Sequence, residues 1–270
     1  MYLVFEVGGT KTRIGFSSDG RNLESSQILS TPQAFDQFLP ILKETATTLS
    51  KGQVIKAVCG GLAGVLNGQK TILVNAAHLP GWIGQPIKET LDNSLALTFL
   101  ENDAALGALG EATNGSGVDK TIVAYITIGT GIGGARVVNG KLDNKALGFE
   151  PGHQIISPSG LEWEQFISGP ALEKEYGKPT DQINDPQIWD EAAKRVALGL
   201  ANTIMLWSPD IVILGGGLMQ KIPLERIRLH LKTYLKVFPT PPEIALSKLD
   251  ELSGLHGALL YLRQNQDKPQ

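Results

Sequence analysis

Glu6-Val7-Gly8-Gly9-Thr10-Lys11-Thr12-Arg13-Ile14-Gly15 decides how the rest of the chain is read. Leu3, Val4 and Phe5 before it, and Ile14 and Phe16 at its end, read as two short strands. The turn between them is made of glycine and hydroxyl residues with one lysine. Glycines let backbone N–H groups come close to an anion, and Thr10 and Thr12 add hydroxyl donors. This is the pattern of a phosphate-binding hairpin rather than a Walker loop, because no helix pattern and no Gly-Lys-Ser/Thr ending follow it. Taken alone, the stretch fits an ordinary tight hairpin turn equally well.

A second copy shifts the balance. Ala124-Tyr125-Ile126-Thr127-Ile128 leads into Gly129-Thr130-Gly131-Ile132-Gly133-Gly134, then Ala135 to Val138, and Asn139-Gly140 closes the strand with a turn signal. One such element in each half points to two related lobes that each wrap part of a shared nucleotide's phosphate chain. A third cluster, Gly215-Gly216-Gly217, follows the buried-strand run Ile211 to Leu214. The carboxyl end of such a strand is where α/β proteins place ligands; a plain strand-to-helix turn is the alternative.

With 270 residues the chain can build two modest α/β domains with proper cores. A net charge of −3 and a pI near 5.8 give no basic face for nucleic acid. No apolar run reaches the length of a membrane span, and Met1 leads directly into a strand without a signal peptide, which points to a cytoplasmic protein. The single cysteine, Cys59, lies in an apolar stretch and reads as a buried, inert thiol.

Strand patterns fall at 2–7, 12–18, 23–29, 54–59, 97–100 and 211–214. Helix patterns fall at 32–49, interrupted by Pro40, and at 86–94, 103–113, 161–176, 186–207, 222–237 and 254–264. Gly60 to Gly64 reads as a loop, and Gln264 to Gln270 as a frayed polar tail. The Gly115-Ser116-Gly117 break divides an N-terminal lobe, 1–114, from a C-terminal lobe, 115–253. The last helix, with Leu255, Leu259, Leu260 and Leu262 on one face, can pack back on the first lobe.

Glu101-Asn102-Asp103 follows the strand run Leu97 to Leu100 and opens a helix. Asn and Asp are preferred capping residues, so an N-cap is one reading. The other is an aspartate beside a phosphate donor, taking the proton of an attacking hydroxyl. A cap residue can serve both ends. Glu150-Pro151-Gly152-His153 brings a carboxylate and an imidazole next to glycine, a combination suited to vicinal hydroxyls; a polar surface turn is the alternative. Glu164, between Trp163 and Phe166, reads as either a solvated helix residue or part of the same recognition set.

In order along nearly the whole chain come Gly8-Gly9-Thr10-Lys11, Leu79-Pro80-Gly81-Trp82, Glu101-Asn102-Asp103-Ala104, Gly129 to Gly134, Glu150-x-Gly-His153, Glu164 with Ser168-Gly169, and Gly215-Gly216-Gly217-Leu218. The ordered set resembles the ROK family (repressors, open reading frames and sugar kinases) of the actin/hexokinase superfamily. The resemblance implies a two-lobed ribonuclease-H-like, actin-like ATPase fold with a ligand cleft between the lobes. It implies Asp103 as catalytic base, with Asn102, Asp103, Glu150, His153 and Glu164 on the sugar. It also implies Gly9, Thr10, Lys11 and Thr12, then Thr130, Gly131 and Gly133, on the phosphates, with Gly215 and Gly216 towards the adenosine. The cofactors implied are ATP and Mg²⁺, the partners a sugar and ATP, and the assembly a homodimer.

The activity implied is that of an ATP-dependent hexose kinase, glucokinase-like, with N-acetylhexosamine kinase and fructokinase as alternatives. A non-catalytic sugar sensor is the rival from another class; the family's repressors carry an N-terminal helix-turn-helix, whereas this sequence opens in the first hairpin strand. Three departures stand out. Family members commonly follow the Gly-His pair with a zinc loop built from that histidine and three cysteines, but His153 to Glu164 holds no cysteine. No structural zinc is therefore expected, and packing by Ile155, Ile156, Leu161, Trp163 and Phe166 is expected to hold the loop. Glu6 stands where aspartate is commoner, a carboxylate one methylene longer for an indirect role near Mg²⁺; His78 stands where asparagine is usual and Ala76-Ala77 replace polar residues, which leaves the identity of the sugar open.

Overall fold

The computed structural model describes residues 1–143 and 145–266. In chain order the elements are β1 (Tyr2–Val7), β2 (Lys11–Ser17), β3 (Ser25–Ser30), α1 (Phe35–Ser50), β4 (Ala57–Leu62), β5 (Val65–Leu66), β6 (Leu73–Asn75), α2 (Ile87–Ser94), β7 (Thr98–Asn102) and α3 (Asp103–Asn114). There follow β8 (Ile122–Ile128), β9 (Ile132–Val138), β10 (Lys141–Leu142), α4 (Trp163–Phe166), α5 (Gly169–Tyr176), α6 (Pro186–Trp207), β11 (Ile211–Gly215), α7 (Leu224–Tyr234), β12 (Glu243–Leu246) and α8 (Ser253–Asn265). The chain divides into two compact units, Met1–Gly110 with Asn144–Gly148 and Leu252–Gln270, and Glu111–Asp143 with Phe149–Glu251. No described helix is long and apolar enough to cross a membrane.

Each unit holds a five-stranded sheet, ordered β3-β2-β1-β4-β7 in the first and β10-β9-β8-β11-β12 in the second. In each, the first strand pairs antiparallel with the second and parallel with a strand further on. The two glycine hairpins therefore occupy the same place in two copies of one topology.

The first sheet is covered on both faces, and β1 shows the period-2 alternation that this requires. Leu3, Phe5 and Val7 enter the cluster with Phe38, Leu42 and Trp82, while Val4 enters the opposite cluster with Ala57, Cys59, Leu255 and Leu259. The C-terminal helix α8 thus completes the first unit. Its crossing with α3 is bare backbone: a Cβ on Gly257 would lie 1.8 Å from the Leu106 carbonyl oxygen, and one on Gly110 would lie 2.1 Å from that of Ser253. In the second unit Ala124, Ile126 and Ile128 pack with Ala193, Val196 and Leu200 of α6.

Four local readings need correction. Gly60-Gly61-Leu62 is strand, not loop: β4 lies between β1 and β7 as a parallel strand, and the Phe5 ring fills the space of a Gly60 side chain, 2.1 Å from the Cβ position. Helix α1 runs unbroken through Pro40, its sixth residue, which forgoes the one bond its missing N–H would donate. The expected helix over 161–176 is two, because Ser168 leaves the helical region and its hydroxyl accepts the Ala171 N–H at 3.3 Å to start α5. Strand β12 lies between the expected helices at 222–237 and 254–264 and pairs parallel with β11. Of the expected polar tail, Gln264 and Asn265 are helical in α8, and residues 267–270 lie outside the described residues.

Replacing Gly257 with Ala drives a methyl group into the α3 backbone. The expected cost is about 3 kcal/mol, the upper part of the range for overpacking, read as a lowered denaturation midpoint. A midpoint equal to wild type would show that α3 and α8 can part without loss.

Candidate active site

The first hairpin turn is closed by the Gly8 N–H donating to the Lys11 carbonyl at 3.0 Å. Thr31, just beyond β3, braces it from below. Its N–H donates to the Thr10 carbonyl at 3.0 Å and its hydroxyl to the Gly8 carbonyl at 2.7 Å. The Thr12 hydroxyl lies 3.0 Å from that of Thr31. Because the Thr31 proton is committed to Gly8, Thr12 must be the donor in this contact. Thr12 is also fully buried, which corrects the expectation that it offers a hydroxyl to a phosphate: it holds the turn instead. Thr10 and Lys11 are exposed, and Gly9 packs directly on His78, whose Cβ lies 2.6 Å from where a Gly9 side chain would begin.

In the second hairpin the Gly129 N–H donates to the Gly131 carbonyl at 2.9 Å, and the Gly129 carbonyl accepts the Gly169 N–H at 2.8 Å. Thr130 is exposed at the tip, with Gly131 and Gly133 partly so. At the end of β11, a side chain on Gly215 would meet the Tyr125 hydroxyl at 2.4 Å. Gly216 has φ +89° and the Ile128 carbonyl oxygen 2.4 Å from its Cβ position. Packing therefore demands glycine at both. The Cβ position of Gly217, by contrast, faces open space.

Asn102 and Asp103 sit where β7 passes into α3. The Asn102 Oδ1 accepts the Ala105 N–H at 3.0 Å, the geometry of a helix N-cap, and its Nδ2 donates to the Gly64 carbonyl at 3.1 Å. One Nδ2 hydrogen is left over. Gly61 of β4 lets the helix start come close, since its Cβ position lies 3.2 Å from the Asp103 Cα. Burial pushes the Asp103 carboxyl up to about 6, against the opposing pull of the Ala104 and Asp103 backbone N–H groups and of Arg13.

Behind this pair lies a charge cluster with no local sequence signal. Glu101, 2 % exposed, takes Lys70 Nζ at 2.5 Å on Oε2. Its Oε1 takes Lys145 Nζ at 3.3 Å and the Asn102 N–H at 2.9 Å. Lys70 also donates to the Tyr261 hydroxyl of α8 at 2.8 Å. Burial opposes the charge of Glu101, but Lys145 and Lys70 overcome it and hold the carboxyl below its usual range. Glu6, expected near the metal, lies 3.4 Å from Arg13 and fills the space beside Gly254.

In the second unit a 3₁₀ turn, Pro151–His153, carries His153, with Glu150 just before it. Gly152 is forced by the Ile132 carbonyl oxygen, 2.3 Å from its Cβ position. Glu164 reaches the same strand, its Oε2 accepting the Ile132 N–H at 3.3 Å. Its place is fixed by the neighbouring Trp163, which is fully buried flat against Gly199 of α6 and donates to the Arg195 carbonyl at 3.1 Å. The loop from Gln154 to Trp163 folds on itself through Ile156 N–H to Leu161 O, 2.8 Å, and Trp163 N–H to Gln154 O, 3.0 Å. Of the residues expected to pack it, Trp163 lies in the core with Ile156 against it, whereas Ile155 is 58 % exposed and pairs by backbone with Glu162. Among the described residues His153, Glu162 and Glu164 form the one group with three ligand-capable atoms within 4.8 Å.

The sequence model of the ROK family matches residues 2–265. The chain is 28 % identical to a glucokinase of Streptomyces coelicolor, covering 96 % of each chain, and 26 % identical to an N-acetyl-D-glucosamine kinase of Escherichia fergusonii, covering 96 % of this chain and 98 % of the other. A ROK family glucokinase from Streptomyces griseus, solved with glucose and AMPPNP, superposes with a TM-score of 0.84 at 25 % identity over 97 % of this chain and 100 % of its own. The repeated sheet is thus that of the actin-like ATPase fold.

The raised carboxyl of Asp103 has a consequence for stability. Its folded value, about 6, lies above its ordinary 3.8, so its contribution is greatest below 3.8 and is lost as pH rises through 6. Asp103→Asn is expected to melt higher than wild type at pH 8, with the gap closing below pH 4. Equal midpoints at pH 8 would show that the carboxyl bears no burial penalty.

Proposed function

Because the chain belongs to the ROK family, we propose that it is an ATP-dependent hexose kinase, with glucose the leading substrate, moving the γ-phosphoryl group to a sugar hydroxyl. The observation that carries this reading is Asp103: a half-buried residue whose carboxyl is pushed up to about 6, at the carboxyl end of a strand and the start of a helix. Such a group is ionised at neutral pH yet basic enough to take a hydroxyl proton as the phosphorus–oxygen bond forms.

In this reading Asp103 is the base, and the spare Nδ2 hydrogen of Asn102 binds a sugar oxygen. Glu150, His153 and Glu164 bind further hydroxyls, Glu164 through the oxygen not committed to Ile132. Gly9, Thr10 and Lys11 of the first hairpin, and Thr130, Gly131 and Gly133 of the second, hold phosphates by backbone N–H and side-chain donors. Thr12 acts only through the turn it braces. Gly215 and Gly216 shape the end of β11 for the adenosine, with open space at Gly217. Mg²⁺, arriving with ATP, neutralises charge between the phosphates. The N-acetyl-D-glucosamine kinase relative makes an N-acetylhexosamine the second substrate class.

The test is ADP formation with glucose, fructose, mannose, N-acetylglucosamine and N-acetylmannosamine, each with ATP and Mg²⁺. Glucose is expected to be fastest, and the rate to fall below pH 6 as Asp103 gains its proton. Asp103→Asn is expected to lower kcat by about 10²–10⁴ and to weaken sugar binding far less. No ADP with any sugar would replace the kinase by a sugar sensor; near-wild-type kcat in the variant would reduce Asp103 to a helix residue.

A second expectation concerns metal. A closed structural zinc site takes four nitrogen or sulfur ligands, and Cys59, the sole cysteine, is buried within β4. Purified protein is expected to contain no stoichiometric zinc and to keep its activity after chelation once Mg²⁺ is restored. About one zinc per chain by elemental analysis, lost together with the fold, would overturn this.

A further inference from the structure

His153 and Glu162 face each other at the base of the 154–163 loop, where backbone bonds hold the two arms in register. The ring Nδ1 lies 2.9 Å from Glu162 Oε2. An ionised carboxylate can only accept, so Nδ1 carries the proton in this pair. Glu162 is itself fixed from the other side: it precedes α4, and its N–H donates to the Gln165 side-chain oxygen at 3.3 Å. Trp163, the next residue, is the buried anchor of α4. The carboxylate that meets the ring is therefore tied to the rigid core of the second unit, while His153 stands half-exposed on the 3₁₀ turn.

With Nδ1–H committed, Nε2 is the ring nitrogen left for a ligand. In the neutral ring it is a hydrogen-bond acceptor, and an acceptor selects a hydroxyl over an ether or carbonyl oxygen. Which nitrogen of a histidine carries the proton is set by the partner of the other nitrogen. The acidic groups facing the ring are Glu162, Glu164 and Glu150, and the Glu162 contact is the foremost in raising its pKa, with burial opposing.

We propose that Glu162 is a positioning residue for sugar recognition: it fixes the orientation and tautomer of His153, so that Nε2 is presented to a sugar hydroxyl. The ligand in this statement rests on the sugar-kinase reading; the pairing rests on the geometry alone. Glu162 acts only through His153, which gives it a signature that a scaffold residue lacks.

The experiment compares Glu162→Ala, Glu162→Gln, His153→Ala and the Glu162→Ala/His153→Ala double variant, using glucose with ATP–Mg²⁺. Loss of one directional hydrogen bond corresponds to about a tenfold change in binding. Glu162→Ala is expected to raise the glucose KM about tenfold, with kcat within about threefold and the ATP KM unchanged. Glu162→Gln, which keeps an acceptor oxygen, is expected to recover most of the loss. In the His153→Ala background, removing Glu162 is expected to add nothing.

Nitrogen-15 spectra of the histidine rings at pH 8 give a readout that needs no activity. Wild type is expected to show His153 protonated at Nδ1, and Glu162→Ala to move the proton to Nε2. An unchanged glucose KM, a parallel rise of the glucose and ATP KM values, additive effects in the double variant, or an Nε2-protonated wild-type ring would each overturn the proposal. If wild type phosphorylates no sugar, the kinase reading fails and with it the sugar as ligand. The ring spectra then still decide whether Glu162 sets the tautomer.

Discussion

The bare-backbone crossing of α3 and α8 is the constraint on which the first unit turns. Two helices normally keep 8–10 Å between their axes, and side chains at the crossing hold them apart. Gly110 and Gly257 remove those side chains, so α3 lies tight under α8 at one end, while Gly61 of β4 admits its other end. A helix gripped at both ends has little freedom to slide. Its first residue, Asp103, inherits that rigidity, and the cap from Asn102 and the bond to the Gly64 carbonyl lock the strand–helix junction that carries it.

Charge is arranged around the same junction in two different ways. Glu101 is buried and fully paired, held by Lys70 and Lys145, and stays ionised. Asp103, two residues on, has no lysine partner among its perturbing groups, and burial moves it the other way. Neighbouring carboxyls of one chain segment are thereby driven apart in proton affinity by their surroundings, the pattern by which a protein separates a permanent charge from a group that exchanges its proton. Removing either lysine leaves a buried anion with one of its two cationic partners, a costly state.

The sequence carried the two hairpins, the strand–helix junction at Asn102-Asp103 and the long helix α6 because each has a local signal: turn residues, caps or period. What it hid depends on distant partners. Thr12 looks like a donor to an anion until Thr31, just beyond β3, is seen to take its proton. Gly60 and Gly61 look like a loop because glycine punctuates turns far more often than it lines a parallel strand, and only the Phe5 ring and the start of α3 explain them. Lys70, Lys145 and Tyr261 are ordinary surface types by composition, and nothing short-range places them on Glu101. Strand β12 was obscured by Pro239, Pro241 and Pro242 immediately before it, which mask a four-residue strand at a sheet edge.

Helix α8 supplies Leu255, Ala258, Leu259 and Leu262 to one face of the first sheet, yet it follows the whole second unit in sequence. As the chain leaves the ribosome, at roughly 5–20 residues per second, β1, β4 and β7 emerge early with that face uncovered. The second unit, whose segments all lie before residue 252, has its complete set of strands first. The order of maturation therefore runs against the order of synthesis. The N-terminal unit closes last, and through that interval the apolar side of its sheet, Val4, Ala57 and Cys59 included, stays without its helical cover.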